Sequence, residues 1–350
     1  MAVWRGVVDT FRDRMAVQGE AVTLLEGNTP LIPCPRLAEW ACPGASLYVK
    51  YEGLNPTGSF KDRGMTAAVT QAHHEGAKTL ICASTGNTAA SAAAYAARCG
   101  MKCVVLIPDG KVAMGKLAGS LAYGAEVIQI HGSFDDGLRM VREVAERTPI
   151  ALVNSVNPAR LEGQKTGAFE INQALGKVPD WMCLPVGNAG NISGYWMGFT
   201  QDVAEGVVDG LPRILGAQAA GSAPIVLGRV VEHPDTIATA IRIGNPARWM
   251  QAKEALADSN GQLWAVTDDE ILEAYGAVST KEGIFCEPSS AAGLAGLRKS
   301  YLAGEIQTEG QTIVTILTGH GLKDADTVVN RAKAPLKIEA TLDALIGVIA

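Results

Sequence analysis

Eight short apolar runs, at 47–51, 79–82, 103–107, 127–130, 150–153, 181–184, 214–217 and 313–317, alternate along this chain with segments of helical pattern. Apolar runs of four or five residues closed by Gly, Pro, Ser or Asn read as strands. Strands alternating with helices give an α/β fold with largely parallel sheets. With 350 residues, 47% of them hydrophobic and only 19% charged, the chain can bury a large core and is expected to divide into two lobes.

A net charge of -6 argues against nucleic acid as a partner. No apolar run is long enough to span a bilayer. The first fifteen residues mix Arg5, Asp9, Arg12 and Asp13 where a signal peptide would carry an apolar stretch, so a cytoplasmic protein is expected. The cysteines, Cys34, Cys42, Cys82, Cys99, Cys103, Cys183 and Cys286, are odd in number and mostly in apolar surroundings, which reads as buried reduced thiols. Cys99 and Cys103 lack a second pair to complete a zinc site, and His73-His74 is too sparse to hold a metal, so no metal is expected.

The segment Asn55-Pro56-Thr57-Gly58-Ser59-Phe60-Lys61-Asp62-Arg63-Gly64 places a lone lysine just inside a helix start. Pro56 and Gly58 punctuate a turn, Ser59 is the expected cap, and the apolar residues at 65–69 pack the helix. The positive end of a helix dipole disfavours an ammonium relative to the neutral amine, the form that condenses with a carbonyl. The alternative is a solvated lysine in a first turn.

Three further segments follow strand-like runs. Ala83-Ser84-Thr85-Gly86-Asn87-Thr88 offers hydroxyls, a side-chain amide and helix-start amides, a set suited to a carboxylate. Pro185-Val186-Gly187-Asn188-Ala189-Gly190-Asn191, before a helical pattern beginning near Ile192, lets backbone amides close around a phosphate without a cation. Its glycines do not fit the dinucleotide fingerprint, so a monophosphate fits better. Thr318-Gly319-His320-Gly321 places a hydroxyl at a strand's carboxyl end, the edge where α/β sheets bind ligands. As alternatives, the first could be an ordinary cap and the last a strand-terminating turn.

A fourth set, Asn154-Ser155-Val156-Asn157-Pro158-Ala159-Arg160, offers amides, a hydroxyl and a guanidinium that could grip a dianionic phosphate; Arg160 could instead pair on the surface with Glu162 or Glu170. Gly110-Lys111-Val112-Ala113-Met114-Gly115-Lys116 fits a P-loop up to its lysine and then fails, because Leu117 stands where the magnesium-binding hydroxyl should be. Lys111 and Lys116 could add positive potential for an anionic substrate, or be solvated helix-start lysines.

Together with Asn28-Thr29-Pro30-Leu31, these segments resemble the pyridoxal-phosphate enzymes of the tryptophan synthase β-like family, fold type II, and within it they are most similar to the threonine synthases. The resemblance covers nearly the whole chain. It implies a two-lobed α/β fold, with a small domain at 46–149 inserted in a large cofactor-binding domain formed by 1–45 and 150–350, and pyridoxal 5'-phosphate between them. Phe60 and Lys61 would meet the cofactor, with Lys61 holding it as a Schiff base and shuttling protons. Asn87 would bond its ring hydroxyl, and the amides of Gly187, Asn188, Ala189, Gly190 and Asn191 would cradle its phosphate. Thr318 would meet the pyridine nitrogen, leaving it less protonated than a carboxylate would. Ser84, Thr85 and Thr88 would bind the substrate carboxylate. The implied substrate is O-phosphohomoserine, its phosphate held near Asn154, Ser155 and Arg160. A homodimer is the family expectation. Threonine and serine dehydratases share the scaffold, but Asn-Ala-Gly-Asn in the phosphate cup departs from their run of glycines.

Overall fold

In the computed structural model, which describes residues 3–110, 114–331 and 334–349, ten strands form two sheets. Lys111 lies outside the described residues, and so does the side chain of Lys116. The strands are β1 (Leu31–Pro33), β2 (Ser46–Tyr51), β3 (Thr79–Ala83), β4 (Lys102–Pro108), β5 (Glu126–Ile130), β6 (Ala151–Leu152), β7 (Trp181–Pro185), β8 (Arg213–Ala219), β9 (Gln262–Val266) and β10 (Thr312–Leu317). The larger sheet runs β1-β2-β10-β7-β8-β9 and the smaller β5-β4-β3-β6. Every pairing is parallel except β1 with β2.

Burial explains which strands were legible. β10 and β7 are buried at every position, as a parallel sheet with helices on both faces requires, and both carry apolar runs, at 313–317 interrupted only by Thr315 and at 181–184 unbroken. β9 is half-buried over most of its length and begins with Gln262; β1 is three residues ending in a proline. β1 is too short to carry such a run, and the apolar run Leu263-Trp264-Ala265-Val266 of β9 was not among the eight; neither strand was expected.

The sheets also move the expected lobe boundary. β2 lies between β1 and β10 in the larger sheet, although the small domain was expected to begin at 46; β6 pairs with β3, although that domain was expected to end at 149. Chain order does not decide which sheet a strand joins. Its long-range partners do: β2 matches β10 over six residues, from Ser46 with Thr312 to Tyr51 with Leu317.

Between the sheets run the helices Lys61–His74 and Pro158–Leu175. The second reads from its sequence: the Asn157 side chain accepts from the Ala159 amide, Pro158 opens the helix and Gly176 closes it at φ 67°. The two helices touch backbone to backbone. A Cβ on Gly64 would sit 2.9 Å from the Arg160 carbonyl oxygen, and a Cβ on Gly163 would overlap the Arg63 carbonyl oxygen. Gly163→Ala should therefore separate the helices and cost about 3 kcal/mol or more in urea denaturation. Gly276→Ala, on the helix Asp268–Glu282 with nothing within 4 Å, should be neutral or stabilise by about 0.5–1 kcal/mol.

Candidate active site

Lys61 opens its helix at a seam between two loops. The Phe60 amide donates to the Thr318 carbonyl oxygen at 2.9 Å, the His320 amide to the Gly58 carbonyl oxygen at 2.9 Å, and Ser59 bridges Gly319 in antiparallel fashion. Ser59 is not the cap expected of it: its buried Oγ has no hydrogen-bond partner, and the turn is held by Asp62 instead. The Asp62 carboxylate accepts from the Thr57 amide at 2.7 Å, the Thr57 hydroxyl at 2.6 Å and the Ser91 hydroxyl at 2.6 Å. Burial pushes Asp62 up to about 6 against those bonds. Ser91 lies on the helix Asn87–Arg98, so the turn before Lys61 is fastened to the helix that carries Asn87.

The Lys61 Nζ lies 3.9 Å from the Phe60 ring centroid. Although the residue as a whole is half-buried, desolvation is the largest influence on its amine and pushes it down to about 7; the Arg160 charge acts in the same direction and Glu287 opposes both. The lowered basicity expected from a helix dipole thus arises chiefly from burial and a neighbouring cation.

Asn87 and Thr318 both face a carboxylate that the sequence reading missed. Glu287, buried before the helix Pro288–Leu302, accepts from Asn87 Nδ2 at 3.0 Å and from Thr318 Oγ1 at 3.3 Å. Thr318 Oγ1 also lies 2.9 Å from Ser290 Oγ. Desolvation pushes Glu287 up, while Asn87, Lys61, Lys323 and Thr318 hold it down. Its sequence signal was a single acid before a proline at the head of an otherwise uncharged stretch, Pro288-Ser289-Ser290-Ala291-Ala292-Gly293-Leu294.

The cup expected for a phosphate is built from positions 187–191. The helix there begins at Gly190, two residues earlier than expected, after Ala189 at φ 62°. A Cβ on Gly187 would sit 2.9 Å from the Ile241 Cα, so only glycine lets the loop lie there. Asn188 fastens the cup on both sides: Nδ2 donates to Ser155 Oγ at 2.5 Å and Oδ1 accepts from the Ala247 amide at 2.6 Å. Asn191 Nδ2 is buried without a partner. First-turn amides, an orphaned amide group and no carboxylate within 187–191 fit the phosphate of pyridoxal 5'-phosphate.

Arg160 does not pair on the surface. It is 1% exposed; Glu162 is taken by Lys165, and Glu170 by Arg63 and Lys50. Arg160 Nη1 donates to the Val153 carbonyl oxygen at 3.1 Å, while Nε and Nη2 have no partner. Arg248, also missed from sequence, donates to the carbonyl oxygens of Ser155 and Val156. Asn154 differs from its expected role: Nδ2 and Oδ1 bond the carbonyl oxygen and amide of Ala83, which commits the side chain to the end of β3. That bond steadies the loop of Ser84 and Thr85, both half-buried, as is Thr88 in the first turn of the helix that follows.

Behind Lys61 lies a buried ionic cluster. Arg63 bonds Glu52 through Nε at 2.6 Å and Glu170 through Nη1 at 2.6 Å, and Lys50 Nζ reaches Glu170 at 2.6 Å. Thr29, from the Asn-Thr-Pro-Leu segment, donates to Glu52 at 2.7 Å and accepts from Arg63 at 3.0 Å. Burial alone would raise Glu170, but Arg63 and Lys50 hold it at about 2.

Residues 22–319 match the family described as "Pyridoxal-phosphate dependent enzyme". The chain belongs to that family. It is 58% identical over 340 residues to a threonine synthase of Synechocystis sp., covering 95% of this chain and 88% of that one. It is 55% identical to a threonine synthase of Halalkalibacterium halodurans, covering 99% of both. A threonine synthase of Methanocaldococcus jannaschii is 50% identical, covering 99% of this chain and 86% of that one. Among solved structures, maize serine racemase superposes with a TM-score of 0.74 at 21% identity, covering 93% of this chain and 96% of that one. The tomato (Solanum lycopersicum) threonine deaminase isoform 2, in its processed form, does so with 0.73 at 24%, covering 88% and 89%. Those structures share the fold: parallel sheets flanked by helices, of fold type II.

Removing Arg63 leaves two carboxylates and one ammonium buried, so Arg63→Met should cost about 3–5 kcal/mol in chemical denaturation. Glu170 is depressed from 4.5 to about 2, so its contribution is complete above about pH 4.5 and is lost as the pH falls toward 2. In Glu170→Gln, stability should be lower throughout, and the acid loss across that window should be shallower than in the wild type.

Proposed function

We propose that this family member catalyses the threonine synthase reaction, converting O-phospho-L-homoserine and water into L-threonine and phosphate. Relatives of that name, 50–58% identical across nearly the whole chain, support the reading. The structural observation that carries it is Arg160, a buried guanidinium with two uncommitted nitrogens whose charge acts on the Lys61 amine. Beyond the cofactor's cup, a site serving only an amino acid needs one anion grip, for the carboxylate, which Ser84, Thr85 and Thr88 supply; a further one at Arg160 suits a phosphorylated substrate.

Pyridoxal 5'-phosphate, when bound, supplies an electron sink that acidifies the carbons next to the substrate's amine. Phe60, Lys61, Asn87, Gly187, Asn188, Ala189, Gly190, Asn191 and Thr318 would hold it. Lys61, with its amine near neutrality at about pH 7, takes protons from the α and β positions and returns them. Ser84, Thr85 and Thr88 bind the substrate carboxylate with hydroxyls and helix-start amides. Ser155 and Arg160 grip the phosphate, with Asn154 and Arg248 fixing the loop that presents them. Loss of phosphate from the γ-carbon and addition of water at the β-carbon complete the conversion.

The site then lies between a lobe built on β3–β6 and one built on the larger sheet. A homodimer is proposed on the exposed apolar side chains of the helix Leu342–Ile349, among them Leu342, Val348 and Ile349. A cytoplasmic location is proposed on the seven free thiols, six of them buried.

The purified protein, supplied with the cofactor and O-phosphohomoserine, should release phosphate and threonine in equal amounts; 2-oxobutyrate from threonine, with phosphohomoserine untouched, would make it a dehydratase instead. Lys61→Ala should abolish turnover. Arg160→Ala should raise KM for O-phosphohomoserine about tenfold or more, the weight of a charge-assisted pair. Below pH 7 the rate of cofactor uptake by the apoprotein should fall with the neutral fraction of Lys61, about tenfold per pH unit.

A further inference from the structure

Three segments far apart in the chain close a ring of hydrogen bonds beside the cup. Asn188 Nδ2 donates to Ser155 Oγ at 2.5 Å, Asn188 Oδ1 accepts from the Ala247 amide at 2.6 Å, and Arg248, next in the chain, donates through Nε to the Ser155 carbonyl oxygen at 2.9 Å. The cup and the grip proposed for the substrate's phosphate meet at this ring. A Cβ on Gly190, where the cup's helix begins, would sit 3.7 Å from the Ser155 Cβ. The cup itself is made of backbone amides, so the proposed reaction leaves the Asn188 side chain without a task.

The ring fixes which group donates at each step. A backbone amide only donates, so the atom of Asn188 that meets Ala247 is its oxygen and the atom that meets Ser155 is its nitrogen. An amide nitrogen only donates in its turn. Ser155 Oγ therefore accepts from it, and the single proton of the hydroxyl points elsewhere. Among the described residues no acceptor is bonded to that hydroxyl. Ser155 is half-buried, and Arg160, five residues on, keeps Nε and Nη2 without a partner. A serine hydroxyl left to itself turns between donating and accepting, whereas this one is held as a donor beside a guanidinium that can only donate. A set of donors alone suits an oxyanion that carries no proton.

We propose that the Asn188 side chain is a positioning residue for the substrate's phosphate: oriented by Ala247, it holds the Ser155 hydroxyl as a donor to that group. This rests on the reading of Ser155 and Arg160 as the phosphate grip. The backbone amide of Asn188 belongs to the cup while its side chain serves the grip, so one residue sets the spacing of the two anion sites.

The test prepares the holoenzyme of wild type, Asn188→Ala, Ser155→Ala and the double variant. It measures KM and kcat for O-phosphohomoserine, the inhibition constant of inorganic phosphate against it, the dissociation constant of the cofactor, and the binding of L-threonine from the visible band. Each single variant should weaken inorganic phosphate and raise KM for O-phosphohomoserine about tenfold, the weight of one hydrogen bond to a charged group. The double variant should be no weaker than Ser155→Ala, and L-threonine, which carries no phosphate, should bind all four proteins alike. Losses that multiply in the double variant would overturn the inference, because Asn188 would then not act through Ser155. So would an unchanged inhibition constant, or weaker binding of L-threonine or the cofactor in Asn188→Ala, which would make the bond a support of the cup. In each of those cases wild type still converts O-phosphohomoserine and the reading of the grip stands; a wild-type holoenzyme that leaves it untouched would overturn both. Should Asn188→Ala fail to fold, Ser155→Ala decides, and an inhibition constant unchanged there overturns the inference.

Discussion

Arg63 holds two carboxylates at once, and the architecture around the site depends on that grip. Glu52 follows β2 of the larger sheet, Glu170 lies on the helix Pro158–Leu175, and Lys50 on β2 completes a group of two positive and two negative charges. Desolvating four ions is expensive, and it is tolerable here because each makes several short bonds and the set is neutral. The cost falls on specificity of position: the helix Lys61–His74 cannot slide or turn without stranding a buried charge. Gly64 and Gly163 bring the two helices into backbone contact, close enough for the guanidinium to reach both acids. Lys61, two residues before Arg63, inherits that fixed place.

Fixed on one side by Arg63, Lys61 is fixed on the other by loops. The backbone of Phe60 and Ser59 is paired with Thr318 and Gly319, and Asp62 ties the preceding turn to Ser91. One lysine is thereby referred to both sheets: to β10 through Thr318 and, through Ser91, to the helix after β3. The electrostatics divide accordingly. Charges with a structural task are paired, whereas Arg160 keeps uncommitted donors and the Lys61 amine has no anionic partner at hydrogen-bond distance. Unpaired polarity is costly in a fold and useful in a site.

Much of this was legible in the sequence because the motifs are contiguous. The strands buried on both faces announced themselves as apolar runs, and Lys61, Asn87, positions 187–191 and Thr318 each stand at the end of such a run or at a helix start, where local chemistry marks them. What was missed is non-local. Glu287 and Arg248 acquire meaning only from partners about 200 and 90 positions away, Asn87 and Ser155, and nothing beside them in the chain announces those contacts. Asn154 was misjudged for the same reason: its type suits a ligand, but its two bonds to Ala83 use it up. Ser59 looked like a cap, but Asp62 reached back first. The lobe boundaries shifted because pairing with β10 and β3, rather than proximity in sequence, recruited β2 and β6.

The central claim is that burial and fixed loops single out one lysine as a neutral, reactive amine. Lys50 and Lys165 are also buried, but both are paired with glutamates, and Lys323 shares the neighbourhood of Glu287. The most direct measurement incubates the apoprotein with pyridoxal 5'-phosphate near pH 7, reduces the adduct with borohydride and maps the added mass onto peptides. The account predicts the cofactor's mass on the peptide containing Lys61 alone, with Lys61→Ala taking up none. Label on Lys50, Lys165 or Lys323, or stoichiometric label on the Lys61→Ala protein, would contradict it.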